Sequence, residues 1–185
     1  APKGEYHTRT IVGSSVEREL GTDKITTAAQ AAQATRYLYK SAVERLDGIV
    51  TDAKGKPLGV VGGFKGATNY SSVSIGTLIG EAVRIPGAAR IWFSHNHPSG
   101  LAELSTADRR LNSDFTDAFR GSGIEPMGLL AIGRGKYAHV DPGNQEVGSQ
   151  DIPASTTKTS VPVIERELSE GKEGPSITDI AHAKA

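Results

Sequence analysis

The chain has 185 residues and equal numbers of basic and acidic side chains, 21 of each. This length is typical of one domain with accessory segments, and balanced charge is atypical of proteins that coat nucleic-acid phosphates or anionic lipid. Cysteine is absent, which excludes disulfide scaffolds, thiolate zinc sites and cysteine nucleophiles. No apolar run reaches the roughly 18 residues that a membrane-spanning helix needs. We therefore expect a protein of the reducing cytoplasm with no membrane partner.

Helices and strands alternate along the first three quarters of the sequence. An alanine-rich stretch predicts a helix from Thr26 or Thr27 to about Arg45. Further helices are predicted over 71–85 and 105–121, and strands over 46–51, 57–64, 89–95, 128–133 and 137–140. The first two strands form a hairpin, in which Gly62 and Gly63 either weaken the second strand or indicate a bulge. This order predicts an α/β (α+β) fold with one mixed β-sheet flanked by helices.

The composition changes near residue 141. Basic residues outnumber acidic ones before this point and the reverse holds after it. The turn-forming residues there are followed by a stretch rich in Ser, Thr and Pro. We therefore expect an N-terminal extended segment over 1–24, a domain over 25–140, a linker over 141–160 and a C-terminal tail over 161–185.

Two short segments of the chain are similar to each other. Residues 16–20 read Val-Glu-Arg-Glu-Leu and residues 164–168 read Ile-Glu-Arg-Glu-Leu, and an Ile-Thr pair follows each. One interpretation is that the tail begins a second, repeated module. The other is that the tail is a strand and helix that pack back on the same domain. Because the chain starts at Ala1 and its one methionine is Met127, we expect a processed product or a piece of a longer protein.

The residues suited to chemistry follow the strand predicted over 89–95. Alternate residues of a strand face the same side, so His95 and His97 can present two imidazoles to one metal ion. Asp108, in the first turn of the next helix, can supply a third ligand and leave a fourth position for water. Other interpretations stay open, because a His-x-His pair also arises by chance and Ser105 with Asp108 matches a helix-capping pattern.

The joint spacing of these residues resembles a known signature. His95-x-His97-x7-Ser105-x2-Asp108 resembles the motif of the JAB/MPN (JAMM) zinc metallopeptidases, and His-Asn-His-Pro-Ser-Gly over 95–100 resembles their RadC-like branch. The resemblance covers about residues 25–140. It implies a JAB/MPN architecture, similar to that of cytidine deaminases, with Zn²⁺ bound by the two histidines and Asp108.

The resemblance also implies catalytic roles for two further residues. Glu44, just before the first predicted strand, would be the general base for the attacking water, and Ser105 would donate a hydrogen bond to the oxyanion. The segment from Leu101 to Leu104 is more apolar than is usual in RadC-like chains, so we expect a polypeptide or another domain to dock on that rim.

These features favour a zinc-dependent metallopeptidase or isopeptidase with a polypeptide or isopeptide substrate. One alternative is a RadC-like module of a DNA-associated protein that serves repair, antirestriction or a mobile element. For that role Lys54, Lys56 and Lys65 offer a small basic patch, although balanced charge argues against nucleic acid. The other alternative is a non-catalytic metal-binding scaffold. A nucleobase deaminase is excluded, because its metal site needs cysteine ligands.

Overall fold

The computed structural model describes residues 8–11, 17–65 and 75–168. The strands in these ranges are β1 (Thr8–Ile11), β2 (Glu17–Leu20), β3 (Arg45–Thr51), β4 (Pro57–Lys65), β5 (Arg90–Asn96), β6 (Glu125–Ile132), β7 (Lys136–Val140), β8 (Glu146–Asp151) and β9 (Thr159–Leu168). The helices are α1 (Ala28–Ala34), α2 (Ile75–Val83) and α3 (Thr106–Phe119), and a 3₁₀ turn covers Arg36–Lys40. Among the described helices, none combines the length and apolar character needed to cross a membrane.

The strands form one mixed sheet, as the sequence predicts. Their order is β1-β9-β4-β3-β5-β6-β7-β8, and β2 also pairs with β9. The central strand β3 is antiparallel to both β4 and β5, whereas β5 is parallel to β6 and β4 is parallel to β9. Because β3 and β5 run in opposite directions, the start of β3 lies beside the end of β5.

Each face of the sheet buries its own hydrophobic cluster. Alternate residues of β5 contribute to different clusters: Trp92 packs with Leu38 and the α1 alanines, while Phe93 packs with Phe115 of α3. The ring centroids of Phe93 and Phe115 are 4.0 Å apart. Two-sided burial explains the consecutive apolar residues from Ile91 to Phe93 in this strand. The helices therefore cover both faces, which is the predicted arrangement of helices around a sheet.

The predicted bulge is present in β4. Leu46 pairs with Phe64, but the next residue of β3 pairs with Gly62, so Gly63 has no opposite partner. Gly62 has a φ of +118°, and a Cβ there would lie 2.8 Å from the carbonyl oxygen of Leu46. Only glycine fits such a position without strain.

The first helix is shorter than predicted. It ends at Ala34 rather than near Arg45, and the 3₁₀ turn and a short loop lead into β3. The Thr35 hydroxyl donates to the carbonyl of Ala31 at 2.8 Å and lies 3.0 Å from the Ser94 hydroxyl in the sheet. A side chain that bonds its own backbone in this way competes with helix continuation, and the buried bond to β5 fixes the chain at this point.

The linker predicted over 141–160 is not an irregular segment throughout. Strand β8 pairs with β7, and β9 lies between β1 and β4, where Val161 and Val163 are buried. Residues 161–168 of the predicted tail therefore lie in a strand of this same sheet. Within the predicted N-terminal segment 1–24, β1 and β2 both pair with β9.

Some predictions fall outside the described residues. These are the start of the second helix over 71–74, the tail beyond residue 168, and residues 1–7 and 12–16 of the N-terminal segment. Residue 16, the first position of the two similar segments 16–20 and 164–168, also lies outside the described residues. Residues 17–20 form β2 and residues 164–168 lie in β9, and β2 pairs with the first half of β9.

Candidate metal centre

Three segments of the chain meet at one end of the sheet. His95 is the second-last residue of β5, and His97 directly follows that strand. Asp108 lies in the first turn of α3. The start of β3 lies beside the end of β5, because Leu46 pairs with His95. The fold therefore places Glu44, which precedes β3, at the same end.

The two histidines converge on the Asp108 carboxylate. Nε2 of His95 is 2.8 Å from Oδ1 of Asp108, and Nε2 of His97 is 3.1 Å from Oδ2. One ligand atom from each residue lies within 4.8 Å of the others. The two imidazoles are neighbours, with ring centroids 4.7 Å apart, and both face the Asp108 carboxylate.

The chemistry of this donor set fits a metal ion. Two imidazole nitrogens and one carboxylate oxygen are a ligand set that Zn²⁺ uses in sites with an open fourth position. His95 is fully buried, and its Nδ1 is 2.8 Å from the carbonyl oxygen of Leu130 in β6. If Nδ1 carries the proton and donates to this carbonyl, the Nε2 lone pair is left for a metal. Such a hydrogen bond from the non-ligating nitrogen orients metal-bound histidines.

Electrostatics favour a charged carboxylate at this point. Burial alone would raise the pKa of Asp108, but hydrogen bonds with His95 and His97 outweigh burial and hold the pKa well below its usual range. The hydrogen bond to Asp108 in turn raises the pKa of the His97 imidazole above its ordinary value, against the effect of its partial burial. The site therefore stabilises an anion surrounded by positive charge, whether that charge is a proton or a metal ion.

Glu44 lies at the edge of the cluster. Its Oε1 is 3.5 Å from Nδ1 of His97, the ring nitrogen that does not contact Asp108, and about a fifth of its side chain is exposed. The structure thus brings Glu44 next to a ligand candidate without placing it among the three converging residues. A carboxylate in this position is available to a water molecule.

Asn96, between the two histidines, holds the segment that carries Glu44. The side chain is buried, and its Oδ1 accepts a hydrogen bond of 2.8 Å from the backbone N–H of Arg45. Its Nδ2 donates to the carbonyls of Ser41 and Val43 at 3.3 and 3.1 Å. One side chain therefore fixes the backbone on both sides of Glu44.

Ser105 caps α3, as the capping interpretation predicts. Its hydroxyl oxygen accepts from the Asp108 N–H at 3.1 Å, while its own N–H donates to Oδ2 of Asp108 at 2.8 Å. This reciprocal capping box orients the Asp108 carboxylate toward the histidines. The Ser105 hydroxyl hydrogen makes no hydrogen bond within the described part of the chain, so it can serve a substrate as well as the cap.

Sequence reasoning missed several groups around the cluster. The Leu130 carbonyl has no sequence signal, because any residue supplies a backbone oxygen. Asn96 stands inside the recognised motif, yet its contacts are with a segment 51 to 55 positions away, which spacing alone does not reveal. Of the two rim leucines, Leu101 is exposed as expected, but Leu104 packs against the core.

Comparison with protein families agrees with this geometry. The family model described as a RadC-like JAB domain matches residues 25–143, which is more than half of the chain. The chain belongs to the RadC-like JAB domain family. The matched region includes the whole His95, His97 and Asp108 cluster and the segment around Glu44, and it ends before β8 and β9. Membership of this family fits a metal-dependent hydrolase or a DNA-associated role.

Proposed function

We propose that this RadC-like JAB domain is a zinc-dependent peptidase or isopeptidase that hydrolyses an amide bond with water. The observation that carries the proposal is the convergence of His95, His97 and Asp108, with the Glu44 carboxylate 3.5 Å from His97. When bound, Zn²⁺ in a three-ligand site lowers the pKa of water toward 7 and polarises a carbonyl group.

Each polar residue of the site has a separate task in this proposal. His95, His97 and Asp108 hold the ion, and the backbone carbonyl of Leu130 fixes the orientation of the His95 ring. Glu44 accepts a proton from the attacking water and returns it to the leaving amine. The Ser105 hydroxyl donates a hydrogen bond to the oxygen that becomes negatively charged.

The proposal is tested on the full chain loaded with Zn²⁺. Peptide and isopeptide libraries are incubated with the wild type and with Glu44→Gln, and products are identified by mass spectrometry. We expect cleavage by the wild type, reduced about 10²–10⁴-fold in Glu44→Gln because a positioned base is lost. Zinc content should be equal in both proteins, since Glu44 is not among the three ligands.

Two results would overturn the assignment. Cleavage at an equal rate by Glu44→Gln would remove Glu44 from the chemistry. Zinc-loaded wild type that cleaves neither library would favour the non-catalytic scaffold or the DNA-associated module.

A further inference from the structure

An open pocket adjoins the candidate metal centre. Its volume is about 740 Å³, and His97 forms part of its wall. Three segments form the rest: residues 39–41 of the 3₁₀ turn and the loop after it, residues 98–101 after β5, and Arg134 in the turn between β6 and β7. A substrate group in this pocket would lie directly beside the ligand cluster.

Backbone contacts fix the far wall of the pocket. The N–H of Arg134 donates to the carbonyl of Gly100 at 3.1 Å, and the N–H of Gly100 donates to the carbonyl of His97 at 2.9 Å. The backbones of Gly133 and Gly100 lie so close together that a Cβ on Gly133 would be 2.6 Å from the Gly100 oxygen. The position of Arg134 is therefore tied through one loop to His97.

The pocket wall carries positive charge and no acidic side chain. Besides His97, its ionisable wall residues are Tyr39, Lys40 and Arg134. Within the described part of the chain, neither Lys40 nor Arg134 forms an ion pair, whereas Arg109 pairs with Glu146 at 2.6 Å. The Arg134 guanidinium lies 5.7 Å from the centre of the Tyr39 ring, so two residues of the pocket wall form a cation–π contact.

The other wall residues suit a polypeptide. Pro98 and the half-exposed Leu101 add apolar surface, and Tyr39 adds an aromatic ring. Two cations match one carboxylate, whereas a phosphodiester backbone is bound by many cations along a surface. The equal numbers of acidic and basic residues in the whole chain also disfavour nucleic acid.

We propose that this pocket binds a carboxylate of the polypeptide substrate, from an acidic side chain or a free C terminus next to the scissile amide. That the bound carboxylate belongs to a substrate rests on the proposed function, but binding of a carboxylate in this pocket does not require hydrolysis. Lys40 and Arg134 are the residues that determine the preference for the anion.

The test is a nuclear magnetic resonance titration of the ¹⁵N-labelled full chain. The probes are acetyl-Gly-Glu-Gly amide, the matched acetyl-Gly-Gln-Gly amide, and acetyl-Gly-Gly-Gly with a free carboxyl terminus, which separates the two sources of carboxylate. A six-residue thymidine oligonucleotide represents nucleic acid. Each titration is run with and without Zn²⁺, because a carboxylate also ligates zinc.

We expect both carboxylate probes, or one of them, to shift the amide signals of Gly100, Leu101 and Arg134 in both conditions. Binding should be about threefold to tenfold tighter than that of the Gln peptide, as for a charge-assisted contact at a partly exposed site. The combined variant Lys40→Gln and Arg134→Gln should remove this preference. The matched variant Lys54→Gln and Arg120→Gln, with the same charge change at the far ends of β3 and α3, should keep it.

The outcomes separate this inference from the proposed function. Equal binding of the Glu, Gln and free-carboxyl peptides, or no saturation up to about 10 mM, overturns the carboxylate pocket even if the enzyme is active. Tighter binding of the oligonucleotide at the same signals assigns the pocket to phosphate instead. The combined variant and the single variants Lys40→Gln and Arg134→Gln are all measured, and the spectrum of each is the check of its folding. If the folded combined variant still binds carboxylate peptides more tightly than the Gln peptide, the assignment of Lys40 and Arg134 is wrong.

Discussion

Single side chains at this site each make contacts with more than one neighbour. Asp108 faces both histidines and also caps its own helix through Ser105. The capping and metal-ligand interpretations of the sequence are therefore compatible rather than exclusive, because one carboxylate oxygen accepts from the Ser105 N–H while the other faces His95. Because Asp108 must satisfy both sets of contacts, its spacing from Ser105 and from the two histidines is constrained.

The role of Asn96 as a positioning residue leads to a prediction. Asn96→Asp keeps an oxygen for the Arg45 N–H but loses the two hydrogen bonds donated to Ser41 and Val43. We expect hydrolysis to fall about 10- to 100-fold, because a displacement of about 1 Å at a catalytic group has that effect, while zinc is still bound. Rates on the substrate found in the library screen, together with zinc content, measure this.

Asn112→Asp is the matched control. This buried asparagine of α3 donates to the carbonyl of Asp141 at 3.0 Å, and among the described residues it forms no hydrogen bond with the Glu44 segment. An equal loss of hydrolysis in both variants would show that burial of a new carboxylate, not the position of Glu44, is responsible.

Among the elements, β8 and β9 are two strands that were difficult to predict from the sequence. The alternating residues of β9 include an exposed Pro162 between the buried Val161 and Val163, and this strand follows a polar stretch that is typical of a linker. β8 has only exposed residues and extends the sheet by backbone pairing with β7. β8 gives no hydrophobic signal, because none of its side chains is buried, and the partners of β9 lie far away in the sequence. The central strands β3 and β5 were predictable for the opposite reason, since both of their faces are buried.

A valine pair tests the importance of β9. Val163→Ala removes two methyl groups from the hydrophobic cluster that also contains Val60 and Val161, and we expect a loss of about 2 kcal/mol in the free energy of unfolding. Val147→Ala in β8, where the side chain is about half exposed, should change it by less than about 0.5 kcal/mol. Urea denaturation measures both. Equal effects would mean that β9 is not an integral strand.

A buried histidine in β7 gives the fold a pH dependence apart from the metal centre. His139 lies 3.0 Å from the carbonyl of Met127, and burial lowers its pKa below the ordinary value. The unfolded chain therefore takes up a proton at a pH where the folded chain does not, so stability is lost as the pH falls through about 6.5 and below.

His139→Gln keeps an N–H donor but does not titrate. In metal-free protein, we expect the stability advantage of the wild type over this variant to shrink as the pH falls from about 7.5 to about 5. Subtracting the variant cancels the contribution of His97, whose raised pKa acts in the opposite direction. A pH-independent difference in unfolding free energy would refute the assignment to His139.

At the scale of the whole molecule, the site is a consequence of sheet topology. The antiparallel pairing of β3 with β5 brings Glu44 beside His97, and the crossover through α3 to the parallel strand β6 delivers both Asp108 and the Leu130 carbonyl. The motif made His95, His97, Ser105 and Asp108 recognisable from sequence, because they lie within 14 residues. The pocket of Lys40 and Arg134 was not recognisable, because its walls come from segments that meet only in the folded chain.

The central claim is that His95, His97 and Asp108 bind one metal ion. Calorimetric titration of the metal-free full chain with Zn²⁺, with zinc content checked by elemental analysis, tests it most directly. We predict uptake of about one Zn²⁺ per chain by the wild type and by His139→Gln, and loss of high-affinity uptake in His97→Ala and Asp108→Asn, since a neutral amide is a poorer zinc ligand than a carboxylate. Wild type that takes up no zinc, or equally tight uptake in the His97 and Asp108 variants, would contradict the account.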